Sequence, residues 1–450
     1  MLTKNECYEI KIIDLGDNGE GIGKFDNFTV FVHGAIPGDL VNAKVIKVKK
    51  QYAVALVDSI IESSDYRQIP ECPYVKCGGC QTQMMTYDAQ LKIKKQQVEN
   101  SMKRIGNLEV EVQEVIGMEE PIAYRNKSQY PVRLVDGEVR VGFYKQRTHD
   151  VVNIDNCMVQ HPLINKVMKS LKSKLNDIDI KIYNEEKHRG ILRHIITRIS
   201  FKTEDVMLIF ATNSKEEQSV LKTLGDSLIE EFPQIKSVIQ NINTSKGNRV
   251  MGYENITLCG QDKIVDYIEE NAFEISPLSF LQVNPSQTDV LYKQALEMAD
   301  ITKEDTVFDV YCGIGTISLF LAKSAKKVIG VEVVEAAIED AKENAIRNNI
   351  NNTEFITGKA EEVMPKLYKT GYKSDVVVVD PPRKGCEIEV LQTLLDMAPK
   401  KIVYVSCKPS TLARDLKILS EKYSVEIVQP VDLFPHTTHV ESVVKLKRSL

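Results

Sequence analysis

The sequence predicts an α/β chain. A Rossmann-type, doubly covered parallel sheet forms its C-terminal part, an α+β region precedes it, and a small OB-like β-barrel opens the chain. Three observations predict this. From about Ile301, continuous apolar strands alternate with amphipathic helices, the pattern of a parallel sheet buried on both faces. Residues 1–60 hold several short strands broken by turn residues, enough for a small closed barrel. Residues 110–275 mix strand and helix patterns with no internal repeat. The expected division is residues 1–60, 61–275 and 276–450, and 450 residues is a fitting length for two or three domains.

In the first part, LGDNGEGIG (Leu15–Gly23) reads as a glycine-rich turn. FTVFVHGA and VNAKVIKVKKQYAVALV read as strands separated by the Pro37–Gly38 turn. Lys44 to Lys50 carry four lysines and no acid, which tilts the barrel towards RNA. Three cysteines, Cys72, Cys77 and Cys80, crowd into CPYVKCGGC, and a helix is expected from about Tyr87 to Arg104. From Lys187 to Lys202 five basic residues, Lys187, Arg189, Arg193, Arg198 and Lys202, occur without an acid: a solvated strand face or a basic RNA-facing one.

The candidate strands of the last part are 306–310, 327–332, 353–358, 374–380, 401–407, 425–430 and 439–447. In such a sheet the ligand sits beyond the carboxyl ends of the strands. The first strand ends in DVYCGIG, where Gly313 and Gly315 permit a tight turn. Ser318 stands where a dinucleotide fingerprint has its third glycine, so a pyrophosphate is not required. The second strand ends at Glu332, an acid placed to hold ribose hydroxyls, and the fourth in Asp380-Pro381-Pro382-Arg383. Together these look like an S-adenosylmethionine site; a nucleotide-sugar or NAD enzyme is the alternative.

The fifth strand ends in Ser406-Cys407-Lys408-Pro409, and HTTHVES supplies His436, His439 and Glu441 at the same edge. A thiol and a carboxylate facing a methyl donor suit one chemistry in particular. Carbon 5 of uracil is a poor nucleophile until a thiolate adds at carbon 6, and a base must afterwards remove the C5 proton. Cys407 would be the nucleophile and Glu441 the base. Cys312 and Cys386 are rival thiols near strand ends, and Lys408 is a candidate for activating Cys407.

DVYCGIG, DPPRKG, VSCKPSTLARD, FPHTTHVES, SFLQVNPSQ (279–287) and CPYVKCGGCQ resemble the motifs of the RNA uracil-C5 methyltransferase family, and the first 60 residues resemble a TRAM domain. The resemblance implies a Rossmann-type S-adenosylmethionine-dependent methyltransferase domain behind an OB-like TRAM barrel. It implies that Gln282, Tyr311, Glu332 and Asp380 contact S-adenosylmethionine, that Cys407 is the nucleophile and that Glu441 is the proton acceptor. Phe280 matches an aromatic position near the target base, and Thr316 stands where some members have Asn. Cys72, Cys77, Cys80 and Cys157 would hold a [4Fe–4S] cluster, zinc being the rival for four thiolates. A TRAM domain with a cysteine cluster resembles the branch acting on 23S ribosomal RNA; the tRNA branch characteristically lacks both. The substrate would be a single-stranded loop with a flipped uridine. The alternatives are the same chemistry on the tRNA T-loop and an iron–sulfur RNA-binding sensor without turnover.

The composition, 43% hydrophobic and 27% charged, is that of a folded protein with a sizeable core. A net charge of -5 argues against a wholly basic nucleic-acid binder but not against a local basic face. No apolar run approaches the ~20 residues that cross a bilayer. The start, MLTKNECYEI, has no apolar stretch, so the expected location is the cytoplasm, with the nine cysteines unpaired. Nothing in the sequence demands more than a monomer.

Overall fold

The computed structural model describes residues 2–449. Strands Cys7–Leu15, Gly21–Phe25, Phe28–His33, Leu40–Val48 and Tyr52–Glu62 close into a five-stranded barrel. Alternate residues, among them Ile10, Ile12, Val30, Val32, Val41 and Val45, fill its interior. The expected turn Leu15–Gly23 is only half a turn, because Gly21 and Gly23 lie in a strand. A Cβ on Gly23 would stand 2.6 Å from the Lys11 carbonyl oxygen, so glycine here serves close strand approach. Lys44, Lys47, Lys49 and Lys50 all lie exposed on the outside of the barrel.

The central sheet has seven strands in the order Glu254–Gly260, Ile235–Ile242, Val206–Thr212, Leu192–Ile199, Lys127–Val135, Glu138–Tyr144, Val151–Asn153. Helices Pro162–Asn176 and Gln218–Glu231 cover one face. The other face packs Ile196, Met207, Ile209 and Ile239 against the hairpin Ile264–Ile268/Asn271–Ile275 and the core of the C-terminal sheet. The basic run Lys187–Lys202 is therefore not a solvated or RNA-facing strand through its middle. Every residue of Leu192–Ile199 is buried. Arg193 donates to the Asn243 and Ser245 carbonyls at 2.5 and 2.8 Å, and Arg198 to those of Pro277 (3.3 Å) and Ser279. These guanidinium groups tie loops down through their terminal nitrogens, while the Nε of each is buried without a partner.

The C-terminal sheet runs Thr353–Thr357, Lys327–Glu332, Thr306–Val310, Val376–Val379, Lys401–Ser406, Glu441–Arg448, Tyr423–Val431. Six strands run the same way, and Glu441–Arg448, between Lys401–Ser406 and Tyr423–Val431, alone runs antiparallel to them. They are near-continuous runs of Val and Ile because helices bury both faces. The strand order reverses between Thr306–Val310 and Val376–Val379, the position where such sheets open a ligand crevice.

Helix Tyr87–Ser101 continues into a wider π-type turn at Met102–Gly106, closed by Asn107 at φ 54°. Its Val98 and Met102 join the core of the C-terminal sheet with Leu412 and Leu416. Val112 and Ile116 then pair beside Val428 and Val431 at the sheet edge. Residues 87–116 thus pack on a sheet that begins some 190 residues later in the chain. Among the described residues no helix is long and apolar enough to cross a membrane.

Candidate active site

Three neighbouring strands present three reactive side chains at one edge. Val376–Val379 leads into Asp380, Lys401–Ser406 leads into Cys407, and the antiparallel strand Glu441–Arg448 begins at Glu441. Ser406 pairs with Ser442, so Cys407 and Glu441 fall at facing ends of adjacent strands. Strand neighbours lie about 4.8 Å apart, which sets the spacing of the group.

Their electrostatics form a chain. Burial and the Asp309 carboxylate push Asp380 up to about 7. Burial and Asp380 push Glu441, which is 2% exposed, up to about 8. Burial, Glu441 and Asp380 push the Cys407 thiol up to about 11. Arg383 acts the other way on both Glu441 and Cys407. The cation that acts on Cys407 and Glu441 is Arg383, from DPPRKG, rather than Lys408. Both shifts favour the protonated forms of the Cys407 thiol and of Glu441. A bound cation lowers both, since desolvation and like charge are what raised them.

Cys312 and Cys386 are both buried, the first beside Asp309 and Glu332, the second between Tyr404 and Tyr311. Of these three thiols only Cys407 is partly open to solvent.

The crevice side is built from the glycine turn. Tyr311 takes φ 71°, a left-handed conformation that a bulky residue adopts only where its surroundings force it. Its N–H donates to the Val331 carbonyl at 2.9 Å. Glu332 accepts from the N–H groups of Gly313 (3.3 Å), Val333 (2.8 Å) and Val334 (2.9 Å), which fixes its carboxylate beside the turn. Asp309, buried in an otherwise apolar strand, accepts from Ser318 Oγ at 2.5 Å and is pushed up to about 7 by burial. Sequence reasoning passed over it, although one acid inside TVFDV was a signal. Tyr292 lies among Asp380, Asp309 and Glu441, and its hydroxyl meets Thr316 Oγ1 at 3.0 Å.

Phe280 and Gln282 lie on the loop before helix Pro285–Ala299, which Asn284 caps by accepting from the Gln287 N–H at 3.3 Å. Asn126 anchors this loop to the central sheet, its Nδ2 donating to the Gln282 carbonyl at 3.1 Å and its N–H to that of Val283 at 2.9 Å. Phe280 is 68% exposed, an aromatic ring held out to solvent by a fixed loop.

Cys72, Cys77, Cys80 and Cys157 line one cavity of about 70 Å³ together with Tyr74, Phe143 and Arg125. Burial pushes Cys77 up, Cys80 to about 12 and Cys157 to about 11, while Arg125 opposes each shift. Such thiols ionise only when a bound cation takes up their charge. They ring the cavity rather than converge on a point: among the described residues no three Cys, His, Asp or Glu side chains stand as ligands of a single ion.

A family model described as tRNA (Uracil-5-)-methyltransferase matches residues 86–449, and a TRAM domain model matches residues 2–57. A protein of Clostridium acetobutylicum named an uncharacterized RNA methyltransferase is 51% identical over 99% of this chain and 98% of its own length. One of Clostridium tetani with the same description is 49% identical over 98% of this chain and 96% of its own. Among solved structures, the Pyrococcus abyssi tRNA (uracil-54, C5)-methyltransferase in complex with S-adenosyl-L-homocysteine is similar at TM-score 0.78 and 29% identity. That likeness covers 98% of this chain and 100% of the other.

Proposed function

The chain belongs to the RNA uracil-C5 methyltransferase family, and from that membership we propose that it methylates carbon 5 of a uridine in 23S ribosomal RNA through a covalent Cys407–C6 adduct. The observation that carries the mechanism is the juxtaposition of Asp380, Cys407 and Glu441 at the ends of three adjacent strands, with Cys407 the open thiol. Cys407 Sγ bonds to C6 and the C5=C6 electron pair moves towards the C4 carbonyl, leaving C5 nucleophilic. S-adenosylmethionine supplies the methyl group as an electrophilic carbon on a sulfonium, and S-adenosylhomocysteine is what remains. Glu441 then takes the C5 proton, the C–H pair restores C5=C6, and the C6–S bond breaks to return the Cys407 thiolate. Gln282, Tyr311, Glu332 and Asp380 would hold the cofactor, a reading supported by Tyr311, Glu332 and Asp380 standing at the carboxyl ends of neighbouring strands.

The site's charge gives a pH signature. Asp380 and Glu441 ionise only near pH 7 and 8, and their carboxylates attract a sulfonium but not a neutral thioether. S-adenosylmethionine should therefore bind on the order of tenfold more tightly at pH 9 than at pH 6, a span corresponding to one pKa unit of coupling. S-adenosylhomocysteine should change far less. Calorimetric titration of both ligands checks this, and parallel pH profiles contradict it.

A [4Fe–4S] cluster suits the four thiols, since its irons each take one thiolate and spread them around a cavity, whereas one zinc draws all four to a point. Within this reaction, which moves no electron, the group has a structural role. Anaerobically purified protein should carry about four irons per chain, lost in Cys157→Ser. Stoichiometric zinc without iron contradicts the reading.

The choice of ribosomal RNA rests on the four cysteines; the expected absence of a barrel from tRNA enzymes does not hold, because the match to the Pyrococcus abyssi enzyme covers 98% of this chain and so takes in residues 2–57. A tRNA reading is favoured by the Pyrococcus abyssi enzyme, which matches this chain over nearly its whole length. Ribosomal RNA and tRNA lacking 5-methyluridine, each incubated with methyl-labelled S-adenosylmethionine, separate the two. Label confined to large-subunit RNA supports the proposal, and label confined to tRNA replaces its substrate while keeping the chemistry.

A further inference from the structure

Glu441 follows a strap, residues 432–440, that belongs to no helix or strand. Segments from the barrel, the cysteine region and helix Tyr87–Ser101 reach this strap. From helix Tyr87–Ser101, buried Lys94 meets Asp432 Oδ1 at 2.6 Å and donates to the Phe434 carbonyl at 3.1 Å. The Tyr124 hydroxyl, next to the central sheet, donates to the Pro435 carbonyl at 3.0 Å. Thr438 Oγ1 donates to the Asp17 carbonyl of the barrel at 2.6 Å.

The tightest cluster is at His436, a buried residue at φ 65°. Its carbonyl accepts from the N–H groups of Gln81 (2.9 Å) and Thr82 (3.1 Å), the two residues after Cys80. Its own N–H donates to Gln90 Oε1 at 2.9 Å. Gln90, 1% exposed, also accepts from Thr82 Oγ1 at 3.1 Å, donates to the Met85 carbonyl at 3.0 Å and faces His436 Nδ1 at 3.3 Å. One buried amide thus joins the cysteine loop to the strap five residues ahead of Glu441. Cys407 has none of these strap bonds and lies one residue beyond strand Lys401–Ser406, whereas Glu441 opens its own strand opposite Val431 and takes its approach from the strap.

We propose that Gln90 and the Gln81–Thr82 amides of the cysteine loop are positioning groups for Glu441, so that the four-thiol cavity is coupled to removal of the C5 proton and not to formation of the Cys407–C6 bond. This rests on the reaction proposed above. The step it governs is transfer of the C5 proton to the Glu441 carboxylate, with the C–H electron pair re-forming C5=C6 as the C6–S bond breaks. A strap free to shift loosens the strand end that carries the base and makes no bond to Cys407, and a displacement of about 1 Å is enough to slow a positioned step by about 100-fold.

The test uses full-length, anaerobically purified Gln90→Leu and Cys80→Ser proteins beside the parent. Three quantities are read: turnover on uridine RNA, the rate of covalent capture by 5-fluorouridine RNA, and amide hydrogen exchange over residues 432–440. Capture needs Cys407 and methyl transfer but not proton removal, because fluorine occupies C5. In both variants turnover should fall tenfold or more, capture should stay within about twofold, adduct with ordinary uridine should accumulate, and exchange over the strap should rise. Turnover and capture falling together overturns the proposal, as does unchanged turnover. Unchanged exchange in Cys80→Ser overturns the link to the thiol cavity. Gln90→Glu, which keeps the acceptor for the His436 N–H and loses the donor, carries the same test if the leucine variant does not fold. A parent protein that captures no fluorouridine RNA contradicts the reaction itself rather than this coupling.

Discussion

Cys407→Ala abolishes turnover, by on the order of 10⁴-fold or more, while leaving S-adenosylmethionine affinity nearly unchanged. The size of the effect follows from the order of events: without sulfur at C6 the uracil ring offers no carbon nucleophile at C5, so no slower route through the same site remains. Affinity is spared because the Tyr311–Gly315 turn and Glu332 lie on strands two and three places away from the one that presents Cys407, and Asp380, on the adjacent strand, keeps its carboxylate. The alanine also removes the group whose ionisation Glu441 and Asp380 oppose, so no new buried charge is left unpaired. Single-turnover methyl transfer and calorimetric binding on the same preparation check both halves. Turnover within tenfold of the parent would move the nucleophile to another residue.

Glu441→Gln gives a different phenotype. Addition and methyl transfer still proceed, but the C5 proton has no acceptor, so the Cys407 adduct with ordinary uridine builds up and survives denaturing electrophoresis. Turnover should drop by about 10²–10⁴-fold, the range a positioned base contributes. The substitution keeps the shape of a side chain that is 2% exposed and removes the charge that helps to raise the thiol. Adduct formation should therefore be no slower than in the parent and, below the point near pH 8 where Glu441 ionises, nearly equal to it. Above that pH the parent's carboxylate opposes thiolate formation and the variant's amide does not, so the variant should form adduct faster. The initial rate of covalent capture by 5-fluorouridine RNA, measured against pH in both proteins, checks the sign. A variant with slow turnover and no adduct would place Glu441 in an earlier step.

The strands of the C-terminal sheet were legible because each is a run of Val, Ile or Tyr bounded by polar helix starts, and the structure moves their ends by a residue or two. The edge at which Asp380, Cys407 and Glu441 meet was legible for the same reason: strand ends in a parallel sheet share one side. What the sequence hid was long-range. Arg193 and Arg198 read as an exposed basic run, yet they are buried and bonded to carbonyls 50 to 81 residues away. Gly21 and Gly23 read as a turn because glycine signals both turns and close strand contact. The strap before Glu441 has no periodicity, and its partners, Gln81, Thr82, Gln90 and Lys94, lie about 340 to 355 residues earlier in the chain. Arg383 was visible in DPPRKG but passed over for Lys408, since adjacency in sequence is a poor guide to which cation a thiol faces.

The measurement that tests the central claim most directly is mass-spectrometric mapping of the protein–RNA adduct formed with 5-fluorouridine RNA and S-adenosylmethionine. The account predicts one modified peptide, the one carrying Cys407, with the added mass of a fluorinated uridine bearing one methyl group. A modified peptide carrying Cys312 or Cys386, or no covalent product while ordinary RNA is methylated, would contradict it.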